Sequence, residues 1–171
     1  MSKRALKKYI DALDEKALKE QIIDLYERIP QVKTFYDFVF NPKEEALIEE
    51  AKIKISNEYF PTKRKRARKR RSVAQKYIKQ YKLLGVDPKL LGDLMLFNIE
   101  VAQTYSDTAT KMPDAFFKSM LVSFKEVMQY VSYYQLKEEF SSRIEGVIDQ
   151  SESQNWPNTD LFEEVANDFV D

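Results

Sequence analysis

The stretch from Pro88 to Thr104, PKLLGDLMLFNIEVAQT, limits the fold more than any other part of the chain. Its apolar residues (Leu90, Leu91, Leu94, Met95, Leu96, Phe97, Ile99 and Val101) cover most of the circumference of a helix. A helix that is apolar nearly all round has to be buried, so the rest of the chain must surround it. Its start is marked by LLGVDP. Gly85 can close the preceding helix in the left-handed conformation and Val86 can fold back onto it. Asp87 then caps a new helix with Pro88 in first position.

The surrounding sequence supplies helical walls, because apolar residues recur almost everywhere at spacings of three and four. A short opening helix carries Leu6, Tyr9, Ile10 and Leu13. Asp14 caps a second with Leu18, Ile22, Leu25, Tyr26 and Ile29, which Pro30 ends or kinks. Val32, Phe35, Tyr36, Val39 and Phe40 form a third stripe. In NPKE, Asn41 reads as an N-cap, Pro42 as the first helical residue and Glu44 as its capping-box partner. That helix turns Leu47, Ile48, Ala51, Ile55 and Tyr59 to one face, and Pro61 closes it. SVAQ reads as a second capping box, Ser72 with Gln75, opening a helix with Val73, Tyr77, Tyr81 and Leu84 on its apolar side.

Two more stripes follow Thr104. One spans roughly Asp114 to Tyr134 with Phe116, Phe117, Met120, Leu121, Phe124, Val127, Met128 and Val131. The next carries Leu136, Phe140, Ile144, Val147 and Ile148. DQSESQNWPNT, from Asp149, is polar and turn-rich and reads as a linker. After it, Asp160 and Glu163 form a capping pair for a last amphipathic helix. The chain has only 3 glycines, too few for a fold of many tight β-turns. No repeat of fixed period is visible. The expectation is an all-α, single-domain bundle of about seven to nine helices around a central apolar helix near residues 88–104. Residues 1–150 form the helical domain, and 151–171 the linker and a short acidic tail helix.

Histidine and cysteine are both absent. No imidazole base, thiol nucleophile, disulfide or Cys/His zinc site is therefore available. No glycine-rich phosphate cradle occurs either. These gaps lean against an enzyme, and no cofactor is expected. The start MSKRALKKYI lacks an apolar core, so it is not read as a secretory signal. No run of 18 apolar residues occurs, so no transmembrane helix is expected and the cytoplasm is the expected location.

Lysines and arginines balance aspartates and glutamates at 28 each, but the charges are segregated. Pro61 to Lys82 holds 11 basic residues and no acidic one; Glu138 to Asp171 holds 10 acidic residues against Arg143 alone. The positive pole is KRKRARKRR, Lys63 to Arg71, interrupted only by Ala67. As a backward extension of the next helix it would set like charges at i,i+4 and place positive charge at a helix N-terminus. A bound anion relieves both. Were the helix to extend, Lys65, Lys69, Lys76, Lys79 and Lys82 would form one stripe of roughly 25 Å.

The leading functional reading is therefore an electrostatic, salt-sensitive nucleic-acid interface. It comprises Lys63, Arg64, Lys65, Arg66, Arg68, Lys69, Arg70, Arg71, Lys76 and Lys79. Tyr59, Phe60, Tyr77 and Tyr81 flank it, although Tyr77 and Tyr81 are read first as core. An acidic protein surface, or the chain's own acidic C-terminal region, is the alternative partner. A second reading is a protein–protein adaptor whose tail residues Leu161, Phe162, Val165 and Phe169 dock in a groove of a partner or on the chain's own core. A third is a metal-dependent hydrolase built on Asp93 and Glu100, seven residues apart on one helix face. The simpler reading of that pair is a polar seam matched by cations of a neighbouring helix.

Three segments also carry a likeness. FYDFVFNPKEEALIEEAKIKISNEYFPTKRK, RRSVAQKYIKQYKLLGVDP and DLMLFNIEVAQTYS resemble a family of uncharacterised bacterial proteins, of the kind common in Bacteroidetes, classed as a domain of unknown function. The likeness covers roughly Ser2 to Gln150. It implies a cytoplasmic bacterial setting and brings no activity, cofactor or site residue with it.

Overall fold

Asp14 and Asp87 act as the expected helix caps. Asp14 Oδ1 accepts the N–H of Ala17 at 2.7 Å, and Asp87 Oδ1 accepts those of Lys89 and Leu90 at 2.8 and 3.2 Å. The computed structural model describes residues 2–169, in which there are nine helices and no strand. None of these helices is long and apolar enough to cross a membrane. The chain divides into two units, one ending at Lys43 and the other beginning at Glu44.

The first unit holds α1 (Lys3–Asp11), α2 (Glu15–Arg28) and α3 (Pro30–Phe40), with α2 against α3. Pro30 stands at the first position of α3, where its missing N–H costs nothing. Tyr26 donates to Asp37 Oδ1 at 2.7 Å across the α2–α3 pair. No described residue of this unit is buried, and Ile23, Val39 and Phe40 are largely exposed.

The second unit is built on α6 (Pro88–Thr108), which packs against α4 (Glu44–Tyr59), α5 (Arg71–Leu84), α7 (Asp114–Tyr133) and α8 (Lys137–Ser153). Leu91, Leu94, Leu96, Ile99 and Ala102 are fully buried. The central apolar helix of the sequence is thus the centre of the core. Gly92 lets α8 approach closely: a Cβ there would stand 2.9 Å from Cε2 of buried Phe140. The α5–α6 corner has the expected form. Gly85 is left-handed at φ 77°, the N–H groups of Gly85 and Val86 both donate to Tyr81 O at 3.1 Å, and Val86 is buried.

Three expected helix starts are placed differently, those of α4 and α5 and that of the last helix. Asn41 closes α3 instead of opening α4, which begins at Glu44. The Glu44 carboxylate accepts the N–H of Asp87 at 2.9 Å, so it is taken by a tertiary contact and not by a capping box. Helix α5 begins at Arg71, two residues before the start that a Ser72 cap would give, with no side chain capping it. Gln75 turns instead to Glu126 Oε2 on α7, at 2.8 Å. The buried face of α5 is correspondingly rotated to Ala74, Ile78 and Tyr81, leaving Val73, Tyr77 and Leu84 half-buried.

Beyond α8 the polar stretch makes a tight corner. Asn155 takes φ 53°, Trp156 N–H donates to Ser151 O at 2.9 Å, and the Trp156 ring is buried against Phe116, Phe117 and Phe162. Helix α9 (Thr159–Asn167) then lies on α7 and α8. Its expected Asp160 cap is not used; Asn158 precedes it and donates to Phe117 O at 3.1 Å.

Candidate functional site

Apart from Arg71, which opens α5, the basic block is neither part of a helix nor a free tail. It is a loop folded over the C-terminus of α4. Helix α4 presents its last carbonyls at Asn57 and Glu58, where an α-helix lacks internal donors and carries partial negative charge. The loop supplies the donors. Glu58 O accepts the N–H groups of Arg68 and Lys69 at 2.9 and 3.0 Å, and Asn57 O accepts Arg64 Nη2. Lys69 takes φ 55° to make this contact, an uncommon value for a non-glycine residue. Positive charge is thus favoured at this end of α4, which offsets its cost at the start of α5.

Glu58 is the hinge of the arrangement. Its carboxylate, 6% exposed, accepts Arg70 Nε at 2.9 Å, Arg70 Nη2 at 3.0 Å, the Arg70 N–H at 3.3 Å and Arg64 Nη2 at 3.0 Å. Hydrogen bonds from Arg70, and then Arg64, hold its pKa down at about 2 against the opposing effect of burial. Arg71 is also engaged: its Nε donates to buried Ser123 Oγ at 2.8 Å, and its Nη2 lies 2.7 Å from Glu126 Oε1. Three of the eight block cations are therefore fastened to acids of α4 and α7. None of the described ion pairs joins the block to the acidic region beyond Glu138.

The remaining cations face solvent. Lys63, Lys65, Arg66 and Arg68 are exposed on the loop, as are Lys76 and Lys79 on α5. Lys69 is half-buried with its Nζ 5.6 Å from the ring centroid of Tyr105 on α6. Because α5 starts at Arg71, the continuous lysine stripe that an extended helix would make does not form. Of the flanking aromatics, Tyr81 is buried and donates to Leu47 O at 2.7 Å, while Phe60 is 41% exposed. Tyr59 and Phe60 meet Tyr105, with ring centroids 5.9 and 5.7 Å apart.

Glu58, Glu126 and Tyr105 were not singled out by sequence. Glu58 had a readable signal: with Ile48, Ala51 and Ile55 it continues the buried face of α4 at helical spacing, and a carboxylate on such a face calls for a cation.

Asp93 and Glu100 do share one face of α6, and both are taken by cations. Asp93 accepts Arg143 Nη1 at 2.6 Å and lies 2.9 Å from Lys52 Nζ; Glu100 takes Arg143 Nε and Nη2 at 2.7 and 2.8 Å. Burial pushes the Asp93 pKa up, but Lys52 and Arg143 outweigh it and the net direction is down. Among the described residues, no group of three or more acids stands where it could hold a metal ion. Of the four apolar tail residues, Phe162 and Val165 are buried within the second unit, Phe169 is half-buried and Leu161 is exposed.

No curated protein and no solved structure matches the chain. A family model does, over residues 1–170, and its description is a family of unknown function, DUF6155. By that match, which spans nearly the whole sequence, the chain belongs to the DUF6155 family.

Proposed function

We propose that this is a non-enzymatic binding protein that meets nucleic acid electrostatically, through the loop between α4 and α5 and the exposed face of α5. One observation carries the reading. After Glu58 and Glu126 have taken Arg64, Arg70 and Arg71, a surplus of exposed cations remains: Lys63, Lys65, Arg66, Arg68, Lys76 and Lys79, none of them in a described ion pair. A folded loop that holds like charges together in the absence of matching acids gains from a polyanion, which also releases its own counterions. The reading carries with it a cytoplasmic, bacterial setting.

The test is binding of short labelled DNA and RNA across a salt series. Affinity should fall steeply with salt, and replacing Lys63, Lys65, Arg66 and Arg68 together by Ser should flatten the slope by roughly three to four. Affinity that is independent of salt, or equal in the quadruple variant, overturns the reading.

A further inference from the structure

The loop does more than hold charge: with α6 it frames an open cleft of about 620 Å³. That lies within the ~300–1,000 Å³ of pockets that take small organic groups. Its walls are of two kinds. Phe60 and Tyr105 supply aromatic surface, with buried Tyr59 behind them, and Lys65, Arg66 and Lys69 supply positive charge. The rings of Phe60 and Tyr105 stand at 70° to one another with Phe60 41% exposed, so Phe60 is the ring that a ligand in the cleft can reach, beside a wall formed by Tyr105. Tyr59 adds an unmet polar group: its hydroxyl is buried and has no hydrogen-bond partner. Burial, with help from the Glu58 charge, pushes its pKa up to about 12, so near neutrality it stays a donor.

Resting on the function proposed above, we propose that this cleft takes one unpaired base of a single-stranded nucleic acid. The base stacks on Phe60 against the Tyr105 wall, and the phosphates on either side of it lie on Lys65 and Arg66. Two features favour a single strand over a duplex. In a duplex the faces of the bases are covered by their neighbours, so no base can enter a cleft walled by aromatics. Of the cations that remain exposed, Lys65 and Arg66 line the same cleft as the aromatic rings, so charge and ring surface meet at one place, as an unpaired base with its flanking phosphates requires. Base–aromatic stacking is sequence-tolerant, so the site should read strandedness more than sequence.

The test uses the full chain with four probes: dodecamers of oligothymidylate and oligouridylate, a duplex dodecamer, and heparin as a polyanion without bases. Oligothymidylate also carries a central 2-aminopurine. Either single strand should bind more tightly than the duplex, the ratio of the two showing which sugar is preferred, and 2-aminopurine emission should be quenched on binding. Phe60→Ala should weaken single-strand binding roughly five- to one-hundredfold, the range of one lost stacking contact. It should leave heparin and duplex affinity within about twofold, since no charge is removed. Lys65→Ser with Arg66→Ser should weaken all four.

If 2-aminopurine emission in the unmodified protein does not change at saturation, the base site is overturned, whatever the fate of any variant. Equal losses for heparin and single strands in Phe60→Ala overturn it too. In both cases salt-dependent binding would leave the electrostatic function standing. Absence of any binding removes both.

Discussion

The second unit contains two clusters of acids and cations, and their difference separates the charge used in folding from the charge left over. In the Glu58 cluster one buried carboxylate serves two guanidiniums and sits beneath a loop with several further cations. In the Asp93–Glu100 cluster the two carboxylates of α6 meet Lys52 and Arg143, these four side chains being between 23 and 35% exposed, and Lys52 also reaches exposed Glu49 at 3.2 Å. The second cluster is half-wet and has no surplus of cations, and it joins α4, α6 and α8. The first is unbalanced around a dry centre. Glu58 fixes the shape of the loop but cannot neutralise it, and the excess faces outward.

This contrast is tested most severely by removing the central acid. Glu58→Gln leaves the two guanidiniums without a counter-charge beneath the loop and weakens its hold on the end of α4. Unfolding free energy should drop by about 2–4 kcal/mol, the range for breaking a desolvated, multiply hydrogen-bonded ion cluster. Denaturation followed by the emission of Trp156, the only tryptophan and buried in the second unit, measures it. A loss below about 0.5 kcal/mol, typical of a solvated surface pair, would mean that Glu58 does not organise the loop. Arg143→Met, at the other cluster, should cost less, about 1–2 kcal/mol, because water can reach Asp93 and Glu100 once the guanidinium is gone. If the two substitutions cost the same, the distinction between a dry and a half-wet cluster fails.

What the sequence made legible follows the same division between local and distant causes. The α5–α6 corner was readable because a left-handed glycine, an Asp cap and a first-position proline act on their own neighbours. The burial of α6 was readable because its apolar surface left no alternative. The position of the basic loop was not, since it depends on Glu58, 12 residues before Arg70, and on Ser123 and Glu126 over 50 residues away. Ser72 and Asn41 are good caps in isolation and were outcompeted by tertiary contacts and by the end of α3. Periodicity also reports only that a face is apolar, not that anything covers it. The stripes of α1 to α3 are real helices, yet Phe40 is 77% exposed while Phe124, on a similar stripe, is fully buried.

Acid gives a further measure of the contrast, smaller because it acts by degrees. Glu58 titrates at about 2 in the folded chain against an ordinary value of 4.5. As pH falls, the unfolded chain therefore takes up the proton first, and stability declines. The contribution is complete above the ordinary carboxylate value and is lost as pH falls through the folded one. Between those two limits unfolding free energy should fall with decreasing pH, and the slope should be shallower in Glu58→Gln. An unchanged slope in that variant would show that other carboxylates carry the acid sensitivity. Asp93, also lowered, is the first to examine, through Asp93→Asn.

The smallest expected effect on stability is the most informative about function. Lys63, Lys65, Arg66 and Arg68 are exposed and in no described ion pair, and the backbone contacts of Arg68 survive any change of side chain. Replacing all four by Ser should move unfolding free energy by no more than about 0.5 kcal/mol, the usual range for exposed positions. A slight gain is expected, because mutual repulsion is relieved. The same substitutions that flatten the salt dependence of binding would then leave the fold intact, whereas Glu58→Gln would loosen the fold and leave those four cations in place. Measuring both quantities on both variants separates the two roles of the block. If the quadruple variant were instead destabilised as much as Glu58→Gln, its cations would be structural like Arg64 and Arg70, and only Lys76 and Lys79 would remain for a partner.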